Sequence, residues 1–412
     1  MNKRETTPPR LWPATDNSQI PYWIYTDKDI FDKEMARIFC GSSWAYVGLD
    51  AEIPDPGSFI TTNIGNRPVV ICRNQDGALR GFVNRCAHRG VKFCRHRSGQ
   101  TKRFTCPYHQ WTYDLNGDLK GVPFMRGVNG QGGMPEDFDP AANGLQQLVV
   151  IAHKGVLFAS FDLNMTPFTS YLGESNRYYF ERVFDGRELR LLGHSRQLIR
   201  GNWKLMFENI KDPYHASLLH VFLVTFGLFR ADQEAQVKMD ETGGHGLLIS
   251  RKGEQKATQA TQDIANLRED FKLKDPRLLD PVKEFKDSAT VVMQTLWPNL
   301  IIQQQSNTIA MRQVQPRDPS SFILAWTFFG YADDDEEMTT RRLRQANLMS
   351  ASGLVSCDDS EVIKLAQDGI NSDVDGHALL EMGGRDTEDT EHMVTETAIR
   401  AFYNHYRAVM EL

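Results

Sequence analysis

The sequence predicts an α+β protein in which a small antiparallel β domain precedes a larger α+β domain. Between about residues 38 and 162, short β-rich runs are separated by turn dipeptides such as Asp76-Gly77 and Asn116-Gly117. From about residue 163 onward, helical patterns mix with long strand-like runs. We therefore expect an N-terminal segment at 1–37 that packs on the larger domain, a β domain at 38–162 and the larger domain at 163–412.

Individual elements follow from the same patterns. Ser58–Asn63 and Pro68–Cys72 are predicted strands of the small domain. In the larger domain we expect helix within 202–229, strands within 291–315 and 320–332, and a terminal helix over 394–412. One face of that helix carries the apolar residues Ile399, Phe402, Tyr403, Tyr406, Val409 and Met410. The polar stretch 254–280 predicts a lid or a surface loop.

Composition excludes several classes of protein. Lys and Arg number 47 against 53 Asp and Glu, which gives a net charge of −6 and argues against nucleic-acid binding. The most apolar stretch, Leu218–Phe229, is too short to span a bilayer, which takes about 20 residues, so no membrane association is expected. The start of the chain lacks a signal-peptide pattern. Six cysteines are too few for a disulfide framework, and we expect a cytoplasmic protein.

A first metal-binding pattern is Cys86-x-His88, followed after a gap by Cys106-x2-His109. Two thiolates and two imidazoles suit either zinc or a [2Fe–2S] cluster with mixed ligands. Zinc fingers usually pair like ligands in each short arm, whereas each arm here offers one Cys and one His. The spacing therefore favours a mixed cluster. Cys94-x-His96 is a competing pair, but it lies too close to Cys106 for the usual two-loop geometry.

A second pattern contains His215 and His220, with Asp212 and Glu208 nearby. Five residues on a regular helix turn about 500°, so the two imidazoles could share a metal only if the helix is distorted or the ion lies across its end. Asp212 and Pro213 fit the N-cap and first turn of such a helix. Taken alone, this spacing is weak evidence for a metal site and favours packed or hydrogen-bonded histidines.

Together, the two patterns resemble the large (α) subunit of Rieske non-haem iron aromatic-ring-hydroxylating oxygenases. The resemblance runs from about Pro21 to the C-terminal helix. It is greatest to the salicylate 5-hydroxylase, anthranilate and terephthalate dioxygenase group, through segments such as GVPFMRG, KDPYHASLLH and EHMVTETAIR. The resemblance implies an antiparallel β Rieske domain and a helix-grip α+β catalytic domain with an antiparallel sheet.

The resemblance also implies roles for particular residues. It assigns the [2Fe–2S] cluster to Cys86, His88, Cys106 and His109, and a mononuclear Fe(II) to His215, His220 and Asp359. Asp358 is the main competitor of Asp359 for the third iron ligand. Asp212 and Asn209 are expected to be catalytic. In the family, the aspartate at the position of Asp212 bridges to a Rieske histidine of a neighbouring subunit, which requires a ring-shaped trimer.

Partners and substrate follow as expectations from the same resemblance. Electrons come from NADH through a reductase, often with a ferredoxin, and O₂ is the co-substrate. A small β subunit in an α3β3 assembly is preferred, and a trimer of this chain alone stays open. Arg312 lies in an otherwise uncharged strand-like run and is a candidate partner for a substrate carboxylate. No arginine surrounds Met393, which favours a monocarboxylate of the salicylate or anthranilate type.

Three alternatives stay open at this level. The first is a terephthalate-type dioxygenase, which would use a dicarboxylate. The second is a Rieske electron-transfer protein without oxygenase activity, although such a protein is expected to lack His215 or His220. The third is a zinc-bearing binding module. The sequence does not distinguish mono- from dihydroxylation.

Overall fold

Two seven-stranded antiparallel sheets dominate the computed structural model, which describes residues 10–252 and 272–412. Most of the stretch predicted as a lid or surface loop, residues 254–271, lies outside the described residues. The part that follows contains a 3₁₀ turn at Pro276–Leu279. The α+β class and the antiparallel sheets predicted from the sequence are confirmed.

The first sheet and a small companion sheet are built by residues 45–160. The strands up to this point are β1 (Gln19–Pro21), β2 (Ala45–Leu49), β3 (Ser58–Ile64), β4 (Arg67–Arg73), β5 (Leu79–Val83), β6 (Ser98–Gln100), β7 (Phe104–Thr105), β8 (Thr112–Tyr113), β9 (Leu119–Gly121), β10 (Gln147–His153) and β11 (Val156–Ser160). The large sheet has the order β2-β11-β10-β5-β4-β3-β6, and β7-β8-β9 form the small sheet. Gly77 and Gly117, predicted in turns, connect strands at φ of 79° and 85°.

The second large sheet belongs to the C-terminal part of the chain. Its strands are β12 (Leu189–Ile199), β13 (Glu234–Met239), β14 (Gly246–Arg251), β15 (Val291–Leu296), β16 (Leu300–Gln305), β17 (Thr308–Asp318) and β18 (Ser321–Tyr331), in the order β12-β18-β17-β16-β15-β14-β13. A last strand, β19 (His377–Leu379), pairs with β1 and so joins the N-terminal segment to the C-terminal part.

The helices lie before, within and after this second sheet. They are α1 (Lys28–Glu34), α2 (Phe168–Leu172), α3 (Glu174–Val183), α4 (Trp203–Lys211), α5 (Ala216–Leu219), α6 (Val221–Thr225), α7 (Glu336–Met349), α8 (Leu354–Ser372) and α9 (Thr397–Met410). A π-helical turn, Met35–Phe39, follows α1, and 3₁₀ turns lie at Tyr22–Tyr25, Asp50–Glu52 and Pro140–Asn143. The predicted terminal helix is confirmed, although it begins at Thr397 rather than at residue 394.

The hydrophobic core is continuous across the two halves. One cluster of buried side chains contains Ile60 and Ile71 from the first sheet together with Trp203, Trp326 and Phe402 from the C-terminal part. The apolar face predicted for the terminal helix is part of this cluster, which explains the position of α9 against α4. Within the described residues, no helix is both long enough and apolar enough to cross a membrane.

Candidate metal centres

Two loops with the same backbone pattern carry the first set of predicted ligands. In loops 86–91 and 106–111, the cysteine carbonyl accepts a hydrogen bond from the N–H four residues later, and the cysteine N–H donates to the carbonyl five residues later. The fifth residue of each loop, Gly90 or Gln110, has a positive φ, 71° or 58°. Each loop therefore presents one Cys and one His, and the two loops share the same backbone hydrogen bonds.

The structure brings the four side chains of these loops together. The Cys86 and Cys106 thiols are buried, whereas the His88 and His109 rings lie near the surface with centroids 4.7 Å apart. The hydroxyl of Tyr113 lies 3.2 Å from Cys86 Sγ. An inner pair of sulfurs and an outer pair of imidazoles is the division that a cluster with two differently ligated irons needs.

Hydrogen-bond donors converge on the inner sulfurs. Burial raises the pKa of the Cys106 thiol, and the backbone N–H groups of Tyr108 and His109 act in the opposite direction because they point at its sulfur. Such donors stabilise a thiolate, the form that ligates iron or zinc. The donor set therefore fits a metal–thiolate centre.

A single zinc ion fits this site poorly. Within residues 10–252 and 272–412, the only three His, Cys or carboxylate side chains whose ligand atoms all lie within 4.8 Å of one another belong to the second site. The ligands of one tetrahedral zinc would lie about 4 Å apart or closer. The Cys86, His88, Cys106 and His109 set thus does not converge on one ion, whereas two bridged irons need no such convergence.

The competing pair, Cys94 and His96, has a different environment. The backbone of Cys94 is held by Asn84, which accepts from its N–H at 2.9 Å and donates to its carbonyl at 2.8 Å. The carbonyl oxygen of His96, rather than its ring, faces Cys94 Sγ at 3.8 Å. The pair thus lies in the segment that connects the two loops, and its Cys and His side chains do not face each other.

The second site begins where α4 ends. Asp212 is extended because it precedes Pro213, and this stops the helix. Its Oδ1 accepts from the N–H groups of Tyr214 at 2.8 Å and His215 at 3.3 Å. The prediction that Asp212 is the N-cap is wrong in detail: it caps a turn, and α5 begins only at Ala216 with His215 as its N-cap.

The two histidines flank the short helix α5. His220 has φ −88° and ψ 72°, which interrupts the helical segment between α5 and α6. The ring centroids of His215 and His220 lie 5.4 Å apart. The helix distortion predicted from their spacing is confirmed, and it brings the two Nε2 atoms toward a common point.

Asp359 completes this site from α8. Its Oδ1 lies 3.1 Å from His220 Nε2 and 3.6 Å from His215 Nε2. On α8 the buried positions Val355, Asp359 and Ile363 follow the four-residue spacing of one helix face, so the Asp359 carboxylate points inward. Two histidines and one carboxylate are the ligand type of non-haem Fe(II) centres that leave open positions.

Each histidine also has a carboxylate on its other nitrogen. Asp212 Oδ2 lies 3.3 Å from His215 Nδ1, and Asp358 Oδ2 lies 3.3 Å from His220 Nδ1. Asp358, the rival third ligand, therefore faces the outer side of His220. Outer carboxylates of this kind fix the ring tautomer and leave Nε2 free for a metal.

The electrostatics of the site favour a cation. Burial disfavours the imidazolium of His215, but hydrogen bonds with Asp212 and Asp359 outweigh burial and raise its pKa to about 10. Burial likewise opposes the Asp359 carboxylate, and the two histidines nevertheless hold its pKa well below the usual range. A divalent metal replaces the proton that this arrangement otherwise retains.

Asn209 lies against the same three side chains. Its Nδ2 is 3.1 Å from Asp359 Oδ1 and 3.4 Å from His215 Nε2. Its Oδ1 is buried without a hydrogen-bond partner. The amide is therefore next to the position that the three ligand atoms define.

A cavity opens beside this site. Its apolar walls are formed by Ile210, Ala216, Leu223, Phe229, Leu248, Val291, Met293, Met349 and Val355. Gln303, Gln305 and Arg312 from β16 and β17 supply a polar side. Apolar walls with a few polar groups are typical of a small-molecule site.

Arg312 is buried in this cavity without an acidic partner. Its Nη1 donates to Gln303 Oε1 at 3.2 Å, and its guanidinium lies 4.5 Å from the ring centroid of Trp326. No carboxylate among the described residues lies within ion-pair distance, and Nε has no partner. Because arginine can only donate, Gln303 must turn its oxygen to Arg312 and its NH₂ to Gln305 Oε1, 3.0 Å away.

Sequence comparison places this architecture in a family. Residues 43–131 match the Rieske [2Fe-2S] domain, and residues 173–412 match the ring hydroxylating alpha subunit (catalytic domain). The chain is 49% identical to the large oxygenase component of salicylate 5-hydroxylase from Ralstonia sp, over 97% of this chain and 96% of that protein. It is 41% identical to the anthranilate 1,2-dioxygenase large subunit from Burkholderia cepacia, over 97% and 95% of the two chains.

Further comparisons agree. Identity is also 41% to the terminal oxygenase component subunit alpha 2 of terephthalate 1,2-dioxygenase from Comamonas sp, over 97% of both chains. The naphthalene 1,2-dioxygenase from Rhodococcus sp. bound to indole shares the fold, with a TM-score of 0.78 at 24% identity over 95% of this chain and 94% of that one.

The chain belongs to the ring-hydroxylating oxygenase alpha subunits and is a Rieske non-haem iron oxygenase. Proteins of this family hold a Rieske [2Fe–2S] cluster and a mononuclear iron, and they take electrons from NADH through a reductase. The residues described above fit both groups by donor type and arrangement. Sequence reasoning missed the contact of Asp358 with His220 and the Arg312–Gln303–Gln305 chain, which only the pairing of β16 with β17 brings together.

Proposed function

We propose that this oxygenase hydroxylates the ring of a benzoate-type aromatic carboxylate, with O₂ and NADH-derived electrons, in the degradation of aromatic compounds. One observation carries the proposal: the unpaired guanidinium of Arg312 lies in the same cavity as His215, His220 and Asp359. A buried cation without a carboxylate partner is costly, and a carboxylate ligand supplies the missing charge. The names of the relatives, salicylate 5-hydroxylase and anthranilate dioxygenase, support this substrate class.

The residue roles follow the geometry. Cys86, His88, Cys106 and His109 are the proposed cluster ligands. His215, His220 and Asp359 are the proposed iron ligands. Asp212 is proposed to connect the cluster of a neighbouring subunit with His215, and Asn209 is proposed to act beside the iron. The boundaries at residues 37/38 and 162/163 also stay predictions.

The side chains of the cavity have different roles in the proposed reaction. When bound, the iron supplies O₂ activation, which the protein alone cannot perform. Arg312 binds the substrate carboxylate through its N–H groups and so fixes one end of the ring. The apolar walls hold the ring and exclude water, while Asp212 and Asp358 keep the Nδ1 protons on His215 and His220.

The cavity favours a monocarboxylate. Among the described residues that line it, Arg312 is the only lysine or arginine. A dicarboxylate such as terephthalate would leave its second charge among apolar side chains, which is unfavourable. The hydrogen-bond chain from Arg312 through Gln303 also leaves the NH₂ of Gln305 as a donor, which suits a hydroxyl substituent on the ring. Terephthalate remains the alternative substrate because of the relative in Comamonas sp.

The proposed partners are a small β subunit, a ferredoxin and an NADH-dependent reductase. Two of the relatives are described as a large component or large subunit, which implies further components. We propose an α3β3 assembly from the resemblance to this family, and a trimer of this chain alone is the alternative. A cytoplasmic location stays a prediction and rests on six cysteines that form no disulfide.

Turnover with a defined substrate panel tests the proposal. The purified oxygenase is supplied with NADH, a ferredoxin, a reductase and ¹⁸O₂, together with salicylate, anthranilate, 2-halobenzoate, benzoate or terephthalate. We expect salicylate or anthranilate to be hydroxylated fastest. One labelled oxygen in the product indicates monohydroxylation, and two indicate dioxygenation.

Arg312→Gln is the matched variant for this test. Loss of the charged contact should raise KM for the carboxylates by about 10- to 100-fold, equivalent to about 1.5–3 kcal/mol. Arg312→Lys should restore part of the loss. Faster turnover of terephthalate than of any monocarboxylate, or an unchanged KM in Arg312→Gln, would contradict the proposed substrate class.

A further inference from the structure

Three carboxyl groups, Glu34, Glu208 and Asp212, lie on or against helix α4. Glu34 is fully buried and accepts from Lys204 Nζ at 2.6 Å, Trp203 Nε1 at 2.8 Å and Tyr406 Oη at 2.7 Å. A cation and two neutral donors are the surroundings of an ionised carboxylate. Glu34 therefore pairs with Lys204, whose charge also acts on Glu208.

Asp212 also has the surroundings of an anion. Its carboxylate accepts from two backbone N–H groups and faces His215 Nδ1, as described above. Both oxygens of Asp212 are therefore engaged, Oδ1 by the backbone of the turn and Oδ2 by His215. A further negative charge nearby would repel the Asp212 carboxylate and weaken these contacts.

Glu208, one helical turn before Asp212, has different surroundings. Its Oε1 contacts both Tyr25 Oη, at 2.8 Å, and Tyr403 Oη. The two tyrosine hydroxyls also contact each other at 2.8 Å. Three oxygen atoms in mutual contact need three protons for three hydrogen bonds, and the two tyrosines supply only two.

We propose that Glu208 is a neutral carboxylic acid in the working enzyme and a positioning residue that preserves the contact of Asp212 with His215. A proton on Glu208 closes the ring of three hydrogen bonds with Tyr25 and Tyr403. It also removes a negative charge one turn away from Asp212. This inference concerns the proposed role of Asp212 and so rests on the proposed function.

The groups that face Glu208 favour the neutral form. Burial raises the pKa of Glu208, and the charge of Asp212 acts in the same direction. The tyrosine hydrogen bonds and Lys204 act in the opposite direction, but Lys204 is engaged by Glu34 at 2.6 Å. In several enzymes one carboxyl of a site is neutral while a nearby carboxyl is ionised, and the two have different roles.

The expected consequence is an alkaline limit on turnover. When the pH rises through the pKa of Glu208, the carboxyl loses its proton, and a second negative charge appears beside Asp212. The contact of Asp212 with His215 is then weakened and kcat falls. A permanently neutral side chain at this position should remove that limit.

Glu208→Gln in the holoenzyme is the direct test, with kcat measured against pH on the best substrate. We expect turnover within about threefold of the wild type at neutral pH and loss of the alkaline decline. Glu396→Gln is the matched control, because burial and Asp212 also raise the pKa of Glu396. An alkaline decline that persists in Glu208→Gln but disappears in Glu396→Gln would assign the neutral carboxyl to Glu396 and overturn the proposal.

Infrared spectroscopy provides a second test that does not depend on turnover or substrate. The wild-type holoenzyme at neutral pH should show a protonated-carboxyl C=O band that is absent in Glu208→Gln and shifted in Tyr403→Phe. The band should disappear at the same pH at which kcat falls. If no carboxyl band is assigned to Glu208, or if it is lost at a pH where kcat is unchanged, the inference is wrong even though the proposed function could stand.

Discussion

The two metal sites of this chain are built in opposite ways. The loops proposed to hold the cluster lie in one segment, residues 86–111, and each loop uses the same backbone hydrogen bonds to present a Cys and a His. The proposed iron site instead joins the end of α4, the flanks of α5 and the inner face of α8. The first site depends on local backbone geometry, and the second depends on how helices from distant parts of the chain pack.

This difference determines what each region can tolerate. The cluster loops need a positive φ at Gly90 and Gln110 and buried sulfurs, which are local requirements. The iron site needs the helix break at Pro213, the break at His220 and the correct face of α8 at once. A substitution in the iron site should therefore leave the cluster bound, and a substitution in the cluster loops should leave the iron bound.

The largest expected effect comes from loss of one ligand at either site. Asp359→Ala should lose iron and reduce turnover by more than about 100-fold, because even outer partners of a metal cost about 10- to 100-fold. Cys106→Ser should lose the cluster instead. Iron content, visible absorption and electron paramagnetic resonance measure the two groups separately. Loss of both the iron and the cluster in either variant would contradict the independence of the two sites.

An intermediate effect is expected when the affinity of the metal-free protein for Fe(II) is measured at different pH values. The pKa of His215 is raised to about 10, so Fe(II) must displace a proton at neutral pH. Affinity should rise about tenfold for each unit of pH up to that value, since one proton is released per ion bound. Isothermal titration of the apoprotein with Fe(II) measures this slope, and an affinity independent of pH between 6 and 8 would contradict the geometry of Asp212 and Asp359 around His215.

A smaller effect separates Asp358 from Asp359. Asp358→Asn removes only the outer partner of His220 and should weaken iron affinity by about 10- to 100-fold. Asp359→Asn, as the matched variant, removes a ligand and should cost more. Equal losses in the two variants would mean that the inner and outer positions on α8 are not distinct.

The sequence allowed prediction of the cluster site more completely than of the iron site. The spacing of Cys86-x-His88 and Cys106-x2-His109 indicates two arms with one Cys and one His each, because all four proposed ligands lie in one short segment. Helix periodicity also favours Asp359 over Asp358 as the third iron ligand. Val355, Asp359 and Ile363 share one helix face by their spacing, whereas Asp358 does not lie on that face.

Other features could not be predicted, since they depend on tertiary packing. Tyr25 and Tyr403 meet Glu208 only because the N-terminal segment and α9 both pack on α4. The helix start assigned to Asp212 was wrong because Pro213 and its neighbours form a turn before α5 begins. Both cases involve segments whose conformation is set by neighbours that lie far away in the sequence.

Single-turnover kinetics of Asp212→Asn test the connection between the two sites most directly. The oxygenase is loaded with both metals, its cluster is reduced chemically, and O₂ and substrate are added while cluster absorption and product are followed. We expect both metals to stay bound and cluster reoxidation with product formation to slow by about 100-fold or more, since the contact with His215 Nδ1 loses its charge. Cluster reoxidation and product formation at the wild-type rate would contradict the proposed role of Asp212 as the link between the sites.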